Sequence, residues 1–144
     1  MKKKFRGYIF SRPFFGERAP QHIQNLIIKD YCEQKNYLFL LSFTEYRMSN
    51  STLMLQSLIR DLKKIDGIVF FSLFQLPEEQ SFRIKFLKKV LKQKKEIHFA
   101  VEKIIFNNKS QLEQIENLFT LKKVNIYQEK NFKKIKDFLI TNYG

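Results

Sequence analysis

The sequence predicts an α/β fold, a three-layer sandwich with a mostly parallel four- or five-stranded sheet and helices on both faces. Three observations predict it. Ile68-Val69-Phe70-Phe71, after Asp66-Gly67, is an apolar run without alternation, as in a parallel strand buried on both sides. The segments flanking it carry apolar residues at helical spacing. Strand-like and helix-like segments also alternate along the chain, the order expected when crossover helices join parallel strands.

Residues 5–10 form the first strand, behind the basic terminus Lys2-Lys3-Lys4. A polar loop, residues 11–19, leads to Pro20, whose missing N–H is harmless in a first helical turn. Ile23, Leu26, Ile27 and Tyr31 recur at helical spacing, giving a first helix over 20–34. Residues 37–43 are aromatic and aliphatic and read as the second strand. Asn50 or Ser51 can cap a second helix with the apolar face Leu55, Leu58, Ile59 and Leu62. The central strand follows at 67–71, then a loop and a third helix opening at Pro77-Glu78-Glu79. Its early acids and late lysines suit the helix dipole. Residues 96–101 are a fourth strand. Ser110-Gln111-Leu112-Glu113 matches a capping box ahead of Leu112, Ile115, Leu118 and Phe119. Residues 124–127 read as a short edge strand, and a last amphipathic segment starts at Asn131.

A chain of 144 residues suits one domain, with a core over 5–119 and a basic amphipathic C-terminal segment over 120–144. Its single cysteine excludes an internal disulfide framework, and two histidines leave little for a metal, so no metal and no cofactor is expected. Cys32 falls in a helical pattern and reads as an inert thiol. No segment has the apolar length of a membrane span and no secretory signal opens the chain, so a cytoplasmic protein is expected. The formal charge of +13 attracts nucleic acid, anionic lipid or phosphorylated metabolites, although lysines at helix ends also have a plain structural explanation.

Right-handed crossovers place the C-terminal ends of parallel strands on one edge, where open α/β sheets bind ligands. The loops starting at Ser11, Thr44, Ser72 and Glu102 would meet there. Ser11, Arg12, Glu17 and Arg18 precede a helix start with Gln21 and His22; two guanidinium groups and a helix N-terminus make a phosphate site. The alternative is a solvated loop with Arg12 paired to Glu17. His22 is a candidate proton carrier or a surface residue, whereas His98 reads as packed inside its strand. Glu45 and Glu102, after the second and fourth strands, could orient the histidine or accept sugar hydroxyls. They could equally pair with Arg47 and Lys103. No Gly-rich dinucleotide fingerprint and no Walker-type loop is present.

Arg6-Gly7-Tyr8-Ile9-Phe10-Ser11-Arg12-Pro13, Pro20-Gln21-His22-Ile23-Gln24-Asn25-Leu26 and Asp30-Tyr31-Cys32 resemble the sporadic carbohydrate cluster protein family. So do Thr44-Glu45-Tyr46, Asp66-Gly67-Ile68-Val69, Ser72-Leu73-Phe74 with Leu76-Pro77, and His98-Phe99-Ala100-Val101-Glu102. Members are encoded among genes for surface polysaccharide or O-antigen synthesis. The polar residues matching that family are Ser11, Arg12, Gln21, His22, Gln24, Glu45, Ser72 and Glu102. More loosely, the order of elements is similar to the catalytic domain of serine recombinases, or resolvases, within the Rossmann-like folds. Those begin with a strand carrying Tyr-x-Arg-x-Ser, and Ser11 falls near the nucleophile's place. Ile9 and Phe10 stand where the arginine before the serine is expected. Leu73-Phe74-Gln75-Leu76-Pro77-Glu78 lacks the aspartate and both arginines of the third-strand segment. The likeness implies the fold and argues against recombinase chemistry.

The sequence thus favours a protein of surface-glycan or O-antigen biosynthesis that binds or converts a phosphorylated or nucleotide-linked sugar at the sheet edge. Ser11, His22, Glu45 and Glu102 are the catalytic candidates. Arg12, Arg18, Gln21, Gln24, Arg47 and Ser72 are the substrate-binding candidates. Two alternatives stand beside it. One is an adaptor or regulatory subunit of a glycan-biosynthesis enzyme. The other, ranked last because the lysines are dispersed, is a resolvase-like nucleic-acid-binding protein without recombinase activity. A homodimer is expected, since edge strands and apolar tails are often buried by a second copy.

Overall fold

The structure is a computed structural model that describes every residue except Gly16, Glu17, Ser49 and Gly144. Two compact units make up the chain, Met1–Leu112 and Glu113–Gly144. The first holds strands β1 (Lys4–Phe10), β2 (Leu38–Glu45), β3 (Gly67–Phe70), β4 (Glu96–Phe99) and β5 (Ile104–Phe106). Helices α1 (Gln21–Gln34), α2 (Leu53–Asp61) and α3 (Gln80–Lys92) connect them. The strand order is β2-β1-β3-β4-β5, parallel except for β5, which pairs antiparallel with β4. The α/β sandwich read from the sequence is the fold.

Alternating side chains sort the helices onto two faces. Phe5 and Ile9 of β1 and Val69 of β3 cluster with Ile28, Tyr31 and Cys32 of α1. Tyr8 and Phe70 point the other way, and Phe70 meets Phe86 of α3. The chain steps one way across the sheet from β1 to β2 and back the other way toward β3 and β4. Right-handed crossovers then place α1 opposite α2 and α3. Burial in this core pushes the Cys32 thiol up to about 11, so it is the inert thiol expected.

Gly67 sits beside Phe5 in the β1–β3 register. A Cβ there would lie 2.5 Å from the Phe5 ring and collide with the Glu96 carbonyl, so the close strand approach requires glycine. Helices α1 and α3 both end in Schellman turns. Asn36 and Lys94 take φ of 59° and 58°, while the next amides, of Tyr37 and Lys95, bond back to Cys32 and Val90 carbonyls.

The short extra strand lies elsewhere than the sequence placed it. Residues 104–106 form β5, closing a hairpin after the turn that holds Glu102. Residues 124–127 are not an edge strand; they lie within helix α4 (Gln111–Tyr143), which forms the second unit. Val124-Asn125-Ile126-Tyr127 alternates like a strand, but Leu, Lys, Glu and Gln flank it. A helix already nucleated extends through such residues more readily than it stops and restarts. Leu121, Tyr127, Phe132, Ile135 and Phe138 are exposed along this helix. Among the described residues, no helix is long and apolar enough to cross a membrane.

Candidate anion-binding site

The candidate residues do reach one edge of the sheet, but they divide into three groups. The first is a concavity of about 460 Å³, lined by Ser11, Arg12, Arg18, Ala19, Pro20, Gln21 and Arg47. Pro20 is the cap position of the fourteen-residue helix α1, so the positive end of that helix opens on the concavity. Arg12 is anchored there. Its Nη1 donates to the carbonyls of Tyr46 at 2.9 Å and Met48 at 3.2 Å, its Nη2 to that of Ser51 at 3.1 Å, and it stacks over Phe10. These bonds solvate the guanidinium and tie the β2–α2 loop to the end of β1. Arg18 and Arg47 are exposed and hold no ion pair among the described residues. The expected Arg12–Glu17 pair lies outside the described residues.

The second group surrounds Glu45, which is 1% exposed. One carboxylate oxygen accepts from the Ser51 hydroxyl at 2.8 Å and the amides of Tyr46 and Met54 at 3.2 Å. The other accepts from the Tyr8 hydroxyl at 2.8 Å and the Leu55 amide at 3.1 Å. Met54 and Leu55 open α2, so Glu45 caps that helix from the end of β2. Thr52 occupies the cap position but its hydroxyl accepts from the Gln56 side chain and caps no backbone amide, and Ser51 gives its proton to Glu45. Burial, and then Glu45, push the Tyr8 hydroxyl well above the ordinary tyrosine range, which keeps it a donor. With five donors on two oxygens, Glu45 is built to hold α2. It does not pair with Arg47.

The third group is a polar ladder across the β1–β3 junction. The Gln24 carboxamide accepts from the Phe10 amide at 3.0 Å and donates to the Phe10 carbonyl at 2.9 Å and the Ala19 carbonyl at 2.8 Å. Gln75 Nε2 donates to Gln24 Oε1 at 2.8 Å, and Gln75 Oε1 accepts from the Ser72 amide. The Ser72 hydroxyl donates to Glu102 at 2.8 Å, which also accepts from the Leu73 amide at 2.7 Å. Glu102 therefore caps the 3-10 turn Leu73–Gln75 and does not pair with Lys103. In an open sheet with this strand order, the crevice between β1 and β3 is the usual ligand position. Here Gln24 and Gln75, both 1% exposed, fill it with satisfied carboxamides. The open space lies instead on the β1–β2 side, at the arginines.

The proton-transfer set is not assembled. The Ser11 hydroxyl donates to the Glu45 backbone carbonyl at 2.7 Å, which leaves no base on its proton. His22 is exposed on α1 and lines no part of the concavity, although its neighbour Gln21 does. No three His, Cys, Asp or Glu side chains cluster as a metal would need among the described residues. Three participants were missed by sequence reasoning: Tyr8, Gln75 and the role of Ser51. Gln75 carried a signal, since Ser72-Leu73-Phe74-Gln75 matches the Ser-x-x-Gln form of the capping box, and that box is formed.

Comparison with solved structures gives the N-terminal catalytic domain of TP901-1 integrase, at TM-score 0.59 and 18% identity, over 88% of this chain and 98% of that one. A resolvase family site-specific recombinase from Streptococcus pneumoniae matches with TM-score 0.59 and 11% identity, over 92% and 97%. No family model and no curated protein matches the chain, so the resemblance to the carbohydrate cluster family finds no support. The fold of this protein is similar to that of resolvase and integrase catalytic domains.

Proposed function

We propose that this protein binds nucleic acid through the C-terminal edge of its sheet, as a recombinase-fold protein that neither cuts nor joins strands. The observation carrying this reading is the convergence of Arg12, Arg18 and Arg47 on one concavity at the start of α1. Guanidinium groups and a helix N-terminus suit phosphate oxygens. The charge of +13 supplies the long-range attraction a polyanion needs. The likeness of the fold to resolvase and integrase catalytic domains supports a nucleic-acid partner. Loss of strand transfer is supported by Ser11, whose proton is held by a carbonyl, and by the loop after β3. That segment has Phe74, Gln75 and Glu78 where the recombinase pattern expects an aspartate and two arginines.

A phosphorylated or nucleotide-linked sugar is the second reading, favoured because a concavity of about 460 Å³ has the size of a small-molecule site. Both readings share phosphate chemistry, and one experiment separates them. Fluorescence anisotropy of a labelled DNA duplex is followed between about 50 and 200 mM salt for the native protein and for Arg18→Ala/Arg47→Ala. The expected result is salt-dependent binding whose log–log slope falls by about 2 in the variant, with supercoiled plasmid left unnicked. DNA binding that is absent, or unchanged in the variant, overturns the nucleic-acid reading. Saturable binding of a nucleotide-sugar, lost in the same variant, would install the second. Nicking that disappears in Ser11→Ala would overturn the non-catalytic half.

A further inference from the structure

A second concavity, which shares no lining residue with the first, runs between α2 and α3 on the face of the sheet opposite α1. Its volume is about 410 Å³. Leu55, Ile59, Phe82 and Phe86 give it an apolar lining, and Arg60, Lys85 and Lys89 are its cations. No acid lines it. Phe82 is 53% exposed, so a large ring stands half uncovered in a groove between two helices. None of the three cations has an ion pair among the described residues; Arg60 donates only to the Ser57 hydroxyl. Arg60 and Lys89 lie in the last turns of α2 and α3, where the helix dipole favours them, but Lys85 lies mid-helix, where no dipole explains it.

We propose that this groove docks an acidic amphipathic helical segment of a partner protein, independently of the phosphate site. A groove lined by two helices matches the helix-in-groove mode, in which apolar residues at i, i+3/i+4 and i+7 fill the floor. Charge selects the occupant. Three unpaired cations and no acid around an apolar floor complement aspartate and glutamate on the flanks of such a helix. A second copy's helix α4 is mismatched, because residues 121–140 carry six lysines against two acids. A flat bilayer surface does not enter a groove between helices.

The test uses the full chain and a synthetic sixteen-residue helix with Leu and Phe at i, i+3, i+4 and i+7 and Glu on its flanks. Controls are the same composition scrambled, and vesicles of phosphatidylcholine with phosphatidylserine. Binding is measured by anisotropy, and the site by amide NMR shifts in α2 and α3. The expected result is saturable binding to the patterned helix, weakened about tenfold or more in Phe82→Ala. In Lys85→Glu/Lys89→Glu, preference should switch to a helix bearing Lys on its flanks. Both variants change exposed side chains, and circular dichroism checks that they fold. Equal binding of the scrambled peptide would reduce the effect to bulk charge and overturn the proposal. Shifts outside α2 and α3, tighter binding to vesicles, or a concentration-dependent dimer abolished by Phe82→Ala would each overturn it too.

Discussion

Replacing Glu45 separates a structural carboxylate from a catalytic one. The side chain takes five hydrogen bonds, from the Tyr8 and Ser51 hydroxyls and from the amides of Tyr46, Met54 and Leu55. Glu45→Gln keeps the shape and one acceptor oxygen. The best orientation leaves the carbonyl with Ser51, Tyr46 and Met54 and turns the NH₂ toward Tyr8 and Leu55. The Tyr8 hydroxyl can rotate to accept, but the Leu55 amide then faces a donor. One buried amide without a partner costs about 1–3 kcal/mol, and the lost charge at the α2 N-terminus costs up to about 1 kcal/mol more. A destabilisation of roughly 2 kcal/mol is expected for Glu45→Gln, and on the order of 4 kcal/mol for Glu45→Ala, which strands both hydroxyls as well. For a chain of this size that is a fall in Tm of about 8 °C for Glu45→Gln. Urea unfolding followed by circular dichroism gives the free energies, and Tyr8→Phe in both backgrounds gives the coupling between the pair. A Glu45→Gln protein within about 0.5 kcal/mol of the native one would refute the reasoning. If such a protein had also lost a measured turnover, Glu45 would be a functional acid.

Two further perturbations test the packing. Gly67→Ala should cost about 3 kcal/mol or prevent folding, because the new methyl meets the Phe5 ring and the Glu96 carbonyl of the two neighbouring strands; a urea midpoint equal to the native one would show that the strands can separate there at little cost. His98 is fully buried between the Tyr31 hydroxyl at 2.6 Å and Glu96 at 3.0 Å, and burial lowers its pKa despite the opposing pull of Glu96, with Lys35 and Lys3 adding to the lowering. The unfolded chain then takes a proton near the ordinary histidine value of 6.5 while the folded protein stays neutral. Stability from this site is fully present above about pH 6.5 and is lost as pH falls below it toward the folded-state pKa. Urea midpoints at two pH values on either side of that point should drop on the acid side, and His98→Gln should flatten the drop. A midpoint that rises on acidification would contradict the assignment of burial as the stronger influence.

The sequence by itself determined the sheet-and-helix order through β4, because each element carries a local period. The unbroken run Ile68-Val69-Phe70 can be satisfied only by cover on both faces, and the apolar spacing in α1 and α2 marks what covers it. The arginine loop was also legible, since Arg12 and Arg18 fall between a strand end and a helix start. Other features lay beyond local pattern. β5 is three residues long and exists by pairing with β4, so no period announces it. Residues 124–127 imitate a strand over a window too short to show the helix running through them. Apart from the Ser72–Gln75 capping box, the roles of the polar residues were decided by tertiary structure alone. Glu45 lies eight residues before α2 in the chain, and only the packing of α2 beside β2 brings its carboxylate onto the helix's free amides. Gln24 and Gln75, 51 positions apart, meet because β1 and β3 are neighbours, and their pairing closes the crevice where the strand order would place a ligand. Hydrogen-bond partners distant in sequence cost nothing to write and leave no spacing to read. Burial, which makes each of those bonds obligatory, is a property of the assembled fold.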